Sequence, residues 1–194
     1  TRHIVTAIRT LIDKTRFFEA KIKNIDPYGK TVTLYGTAEN RGVQLHYDFL
    51  VVALGSQTNF FGMKDVEDNA YTMKTLNDAV VLRNRIIDML EQAENETDPI
   101  LRKSLLRFIM VGGGFAGVET AGEINDFVTD ISKYYPNIQT DDIKITLVEA
   151  TSEILTGFPR KLANFAKTKL MERGVEVLLN FGVRSFDGKQ VFLE

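Results

Sequence analysis

Leu105-Leu106-Arg107-Phe108-Ile109-Met110-Val111-Gly112-Gly113-Gly114-Phe115-Ala116-Gly117-Val118-Glu119 is the stretch whose reading decides the fold. A short apolar run stops at three glycines, and a helical pattern begins beyond them. Gly112, Gly114 and Gly117 stand in G-x-G-x-x-G register. In a dinucleotide site the first glycine permits the tight turn out of a strand. The second lets backbone approach a pyrophosphate, and the third lets the helix pack closely on the sheet. The helix that follows aims unpaired N–H groups and the positive end of its dipole at that pyrophosphate, so Gly112, Gly113, Gly114, Phe115, Ala116 and Gly117 are the candidate phosphate-binding residues.

Glycine-rich turns are common, and the spacing alone is also met by a plain strand-to-helix turn. Context favours the dinucleotide. Ile143-Lys144-Ile145-Thr146-Leu147-Val148 reads as the next strand, and it ends in Glu149. A carboxylate there accepts ribose hydroxyls of NAD and repels the 2′-phosphate of NADP. Its separation from the glycines exceeds the usual ~20 residues. A polar insertion over 129–142, with Pro136 as a breaker, accounts for the difference.

Composition narrows the field. The 194 residues are 44% hydrophobic and carry a net charge of −2, a balance without affinity for nucleic acid or anionic membrane. No apolar run approaches the ~18 residues of a membrane span, and no signal peptide is visible. The chain has no cysteine, which excludes thiolate redox chemistry, thiolate metal sites and disulfides within it. His3 and His46 are too few and too far apart for a metal centre.

Outward from the glycines, the flanking segments fall into two kinds. Upstream, 6–12 suits a short helix, 17–25 alternates like a half-exposed strand, and Asp26-Pro27-Tyr28-Gly29 is turn chemistry. Strands at 31–35 and from about Gly42 complete an antiparallel meander. Tyr47-Asp48-Phe49-Leu50-Val51-Val52-Ala53-Leu54-Gly55-Ser56 is continuously apolar, the pattern of a strand covered on both faces of a parallel sheet. Its parallel partner is not found among the first 45 residues, which leads us to expect that the chain begins inside a domain. A long helix follows a capping box at Thr75-Leu76-Asn77-Asp78, with Val80, Ile86, Ile87 and Leu90 inward. Asp98-Pro99 opens a short helical connector. Downstream, Pro159 is expected in the first turn of a helix whose apolar side is Leu162, Phe165, Ala166 and Leu170, and Gly174 caps it. A strand at 175–179 and a hairpin about Asp187-Gly188 close the pattern.

These residues resemble the two-dinucleotide flavoproteins, in which an NAD domain is inserted into an FAD domain, and most of all the type II NADH dehydrogenases (NADH:quinone oxidoreductases). The resemblance rests on Thr1-Arg2-His3-Ile4-Val5, on 47–56, on Thr58-Asn59-Phe60-Phe61-Gly62, on 111–119, on Ala121-Gly122-Glu123 and on 145–150. The insertion with Tyr134-Tyr135-Pro136 is typical of that subfamily. It implies an α/β fold with a Rossmann-like NAD(H)-binding domain at 105–194, connecting helices at 63–104, and part of an FAD-binding domain at 1–62.

The resemblance also implies FAD and NAD as cofactors, NADH as substrate and a quinone as acceptor, with no metal. Ala53, Leu54 and Gly55 would close around the FAD, and the backbone at Lys21 and Ile22 would meet the flavin adenine. Glu119 stands where such enzymes carry an acid beside the nicotinamide; read from position alone, it equally suits a first-turn carboxylate that complements the helix dipole. Glu123, one turn on, reads as structural. A second G-x-G-x-x-G fingerprint, the later flavin-binding acidic motif and the membrane-docking C-terminal segment of that family are not in these 194 residues. A central fragment is therefore expected, inactive by itself, from a parent peripheral to the membrane on the cytoplasmic or organelle-matrix face. A homodimer through the apolar run at 49–54 is a further expectation. The rival readings are a flavin reductase that serves ferredoxin or rubredoxin, an isolated NAD(H)-binding module, and a purely structural α/β domain. A disulfide reductase is disfavoured by the lack of a cysteine pair.

Overall fold

A computed structural model describes residues 6–36 and 42–194; Thr1-Arg2-His3-Ile4-Val5 lies outside them. The chain forms two compact units, Thr1–Gly55 and Ser56–Glu194.

In the first unit, β1 (Ile22–Asp26), β2 (Thr31–Leu34) and β3 (Val43–His46) form the expected antiparallel meander in the order β1-β2-β3. Asp26 makes the first turn, its Oδ1 accepting the amides of Tyr28 and Gly29 at 3.0 and 2.9 Å. Residues 17–21 do not join β1, and the expected N-terminal helix is one 3-10 turn, Ile8–Thr10. The apolar run 47–56 departs from expectation most. It is not a strand, and Phe49, Val51 and Leu54 are 94, 87 and 70% exposed. A parallel strand is held by ladder bonds on its flanks and by layers on its faces. Among the described residues no strand pairs with this run.

The second unit is α/β. After α1 (Lys64–Asn69) comes α2 (Leu76–Asn95), begun by a full capping box: Thr75 Oγ1 accepts the Asp78 amide, and the Asp78 carboxylate accepts the Thr75 amide. Ile86, Leu90 and Ala93 form its buried stripe, with Val80 and Ile87 half-buried beside it. Then α3 (Pro99–Leu105), capped by Asp98, leads into β4 (Arg107–Val111). The strands β4, β5 (Lys144–Glu149) and β6 (Glu176–Leu179) run parallel in the order β4-β5-β6. Their crossovers are α4 (Phe115–Ser132) and α5 (Arg160–Glu172), so consecutive strands lie side by side, as in one half of a doubly wound sheet. The central strand carries the core through Ile145, Leu147 and Val148.

Two expectations here are corrected. The segment 129–142 is more than a polar insertion. Its first residues extend α4, Ile138 is buried, the Tyr135 hydroxyl donates to Glu91 at 3.0 Å, and the Asn137 amide donates to Glu94 at 3.0 Å. Pro159 is the residue before α5, and the helix buries Ala163 and Leu170 while Leu162 and Phe165 stay 50 and 61% exposed. The end of α5 follows the glycine rule: Gly174 has φ +92°, its amide reaches Met171 O, and the Val175 amide reaches Leu170 O. The hairpin β7 (Val183–Phe186) and β8 (Val191–Leu193) closes the unit; the Phe186 amide donates to Asp65 at 2.8 Å.

Candidate functional site

The glycine stretch leaves β4 at Val111, and the Gly112 amide continues the ladder to Val148 O at 2.8 Å. Gly112 then turns at φ +102°, in the region glycine occupies at no steric cost. Gly117 is required by close approach, because a Cβ there would overlap the Gly112 carbonyl. Gly114 is different. It precedes α4 in extended conformation, and a Cβ on it would meet no protein atom within 4 Å. The protein's own packing does not ask for glycine at that position. No side chain caps α4, and its first internal bond is Val118 N to Gly114 O, so the amides of Phe115, Ala116 and Gly117 lack a helical partner. Together with the dipole they leave a positively polarised helix end of the kind that favours an anion.

Glu149, at the end of the neighbouring strand, reaches this turn directly. Its Oε2 accepts the Gly113 amide at 2.6 Å and its Oε1 accepts the Thr151 amide at 2.8 Å. Partial burial pushes its pKa up, but the amides of Gly113, Thr151 and Ala150 together outweigh burial and hold the carboxyl below the ordinary glutamate range. Glu149 therefore stands as a charged acceptor against the glycine turn. The loop after it folds back as well: the Leu155 amide donates to Gly113 O at 2.7 Å, with Ile154 and Leu155 buried below. Phe158 meets Phe115 edge to face, ring centroids 5.1 Å apart.

The structure thus brings Gly112, Gly113, Gly114, Phe115, Ala116, Gly117 and Glu149 into one place. Sequence reasoning missed Thr151, Ile154, Leu155 and Phe158 in this assembly. The signal for them was apolar residues, Ile154, Leu155 and Phe158, in a mostly polar loop. Glu119 is exposed on α4 and is its fifth residue, and no acidic residue lies in the first turn. That removes the reading of Glu119 as a first-turn dipole partner, because the effect decays within that turn. In the first unit, Lys21 O accepts the Tyr35 amide at 2.9 Å, and Lys21 lines a shallow groove of about 470 Å³ with Glu19, Ala20, Tyr35 and Gly36. Ile22 opens β1. Ala53, Leu54 and Gly55 are exposed, are not in a strand and do not line that groove. Among the described residues no group of side chains could hold a metal ion.

The family model for pyridine nucleotide-disulphide oxidoreductases matches residues 5–194. The chain belongs to that family. A pyridine nucleotide-disulphide oxidoreductase without cysteine carries no redox disulfide in these residues. A probable NADH dehydrogenase of Dictyostelium discoideum is 33% identical over 198 residues, covering 100% of this chain and 44% of that protein. The external alternative NAD(P)H-ubiquinone oxidoreductase B2, mitochondrial, of Arabidopsis thaliana is 36% identical over 200 residues, 98% of this chain and 34% of that protein. Among solved structures, NDH2 from Plasmodium falciparum in complex with NADH superposes with a TM-score of 0.75 at 27% identity, over 91% of this chain and 36% of that one. The chain therefore spans less than half the length of these relatives.

Proposed function

We propose that this chain is the NAD(H)-binding part, with adjoining flavin-domain segments, of an enzyme that oxidises NADH and passes electrons through FAD to a quinone. The observation that carries the reading is Gly114. Its Cβ position is open where the uncapped amides of α4 converge, one strand away from an ionised Glu149. A pyrophosphate against α4 uses that opening, and the adenosine ribose then falls toward Glu149, whose oxygens keep lone pairs beyond the amides they accept. Glu149 disfavours the 2′-phosphate of NADPH by charge. Glu119, exposed on α4, is placed by this reading beside the nicotinamide. Its division of the chain is 1–62 for the flavin domain, 63–104 for connecting helices and 105–194 for NAD(H).

Membership of the pyridine nucleotide-disulphide oxidoreductases supports FAD as the second cofactor. In this reading Lys21, Ile22, Ala53, Leu54 and Gly55 are its contacts. When bound, the two cofactors carry the hydride chemistry, and the residues here bind and orient them. Attachment to a membrane surface on the cytoplasmic or organelle-matrix side belongs to the same proposal; among the described residues no helix is long and apolar enough to cross a bilayer. Titration of the chain with NADH and NADPH tests the proposal. Saturable binding that favours NADH is expected, and no saturation at millimolar NADH overturns it.

The exposed run 49–54 favours a narrower reading of the chain by itself, as an NAD(H)-binding module without turnover. It predicts a colourless protein that binds NADH. A yellow protein that oxidises NADH overturns the narrower reading.

A further inference from the structure

Gly113 is gripped on both sides of its backbone by the segment that follows β5. Its amide donates to Glu149 Oε2 at 2.6 Å, and its carbonyl accepts the Leu155 amide at 2.7 Å. The same carboxylate uses Oε1 to hold the Thr151 amide at 2.8 Å, which shapes the loop that returns to Gly113. Leu155 makes its bond from φ +53°, a left-handed conformation that costs a non-glycine residue energy, and it is buried. A Cβ on Gly113 would lie 2.9 Å from Ile154 Cγ2 and 3.0 Å from Glu149 Cγ, so the grip leaves no room for a side chain. A strained residue and an anionic acceptor therefore converge on the one residue that precedes Gly114, each on a different peptide group.

We infer that Glu149 is a positioning residue for the phosphate turn, fixing the Gly112–Gly113 peptide and, through the loop it shapes, the Gly113 carbonyl, and thereby the direction of Gly114 and the first amides of α4. The inference rests on the NAD(H) reading and adds to the ribose role a second one, exerted on the pyrophosphate. A carboxylate accepts from both Gly113 and Thr151; an amide in its place sets an NH₂ against one of these two donors. Aspartate keeps the charge but withdraws it by about 1.5 Å, beyond reach of Gly113.

Two ligands that share the adenosine ribose separate the roles. AMP carries the sugar and a single phosphate, whereas ADP-ribose carries the pyrophosphate as well. If Glu149 served the sugar alone, Glu149→Gln and Glu149→Asp would weaken both ligands by one factor. With positioning, ADP-ribose loses about tenfold more than AMP, the size of one charge-assisted hydrogen bond. Amide hydrogen exchange on the cofactor-free chain gives an independent readout. In both variants exchange at the Gly113 and Leu155 amides rises about tenfold more than at the Leu147 amide in the strand core, whose own change reports global stability. Wild type that binds neither ligand overturns the NAD(H) reading and this one with it. Wild type that binds both overturns the positioning role alone if the variants lose AMP and ADP-ribose equally or leave Gly113 exchange as it was.

Discussion

Alanine at Gly114 and at Gly117 separates what a ligand requires from what the fold requires. Gly114→Ala has open space for its Cβ and an allowed backbone, so the substitution should lower stability by about 1 kcal/mol or less, from the helix N-cap. NADH affinity should nevertheless fall sharply, because the methyl occupies the pyrophosphate's approach. Gly117→Ala drives its Cβ into the Gly112 carbonyl and should lower the melting temperature as well as the affinity. Thermal melts paired with calorimetric titration read both, and equal stability losses would remove the distinction. Glu149 also predicts a pH dependence. Its folded-state pKa lies below the ordinary value, so its contribution is full above that value and disappears as pH falls through the lowered one. The melting-temperature gap between wild type and Glu149→Gln should be constant near neutrality and close in acid. A gap that widens on acidification would contradict the assignment. At this scale the glycines and the acid are legible because each spacing encodes one backbone need. The partners of Gly113 are not, because Leu155 lacks any local mark of its left-handed conformation.

Helix ends are where local sequence speaks most plainly. Thr75 and Asp78 form the capping box their spacing predicts, and Thr75→Ala should cost about 1 kcal/mol in urea unfolding. Gly174 occupies a left-handed cap with both bonds of the motif made, and Gly174→Ala should cost about 1–2 kcal/mol. A change within error at either site would show that the cap does not limit stability. Helix faces are less legible. In α5 the larger residues Leu162 and Phe165 point outward, while Ala163 is buried and Ala166 half-buried. The helix packs against β6 and α4 through Ala163 and Leu170. Close approach selects small side chains, which a hydrophobicity pattern undervalues.

For the whole molecule, the run 49–54 leaves large apolar side chains in water, and surfaces of this kind associate. The 194-residue chain should show a concentration-dependent mass in sedimentation, and Val51→Lys should reduce it. A wild type that stays monomeric at high concentration would refute this route to a dimer. The sequence by itself determined the order of the main elements from α2 onward, the parallel half-sheet, the glycine turn and the acid that follows it. These are written in periodicity, in caps and in residues chosen for one conformation. Only the tertiary structure decided that 47–56 joins no strand among the described residues, that 129–142 packs back onto α2, and that Glu149 and Leu155 together hold Gly113. Each depends on a partner distant along the chain, and a local pattern states what a segment needs without stating what meets it.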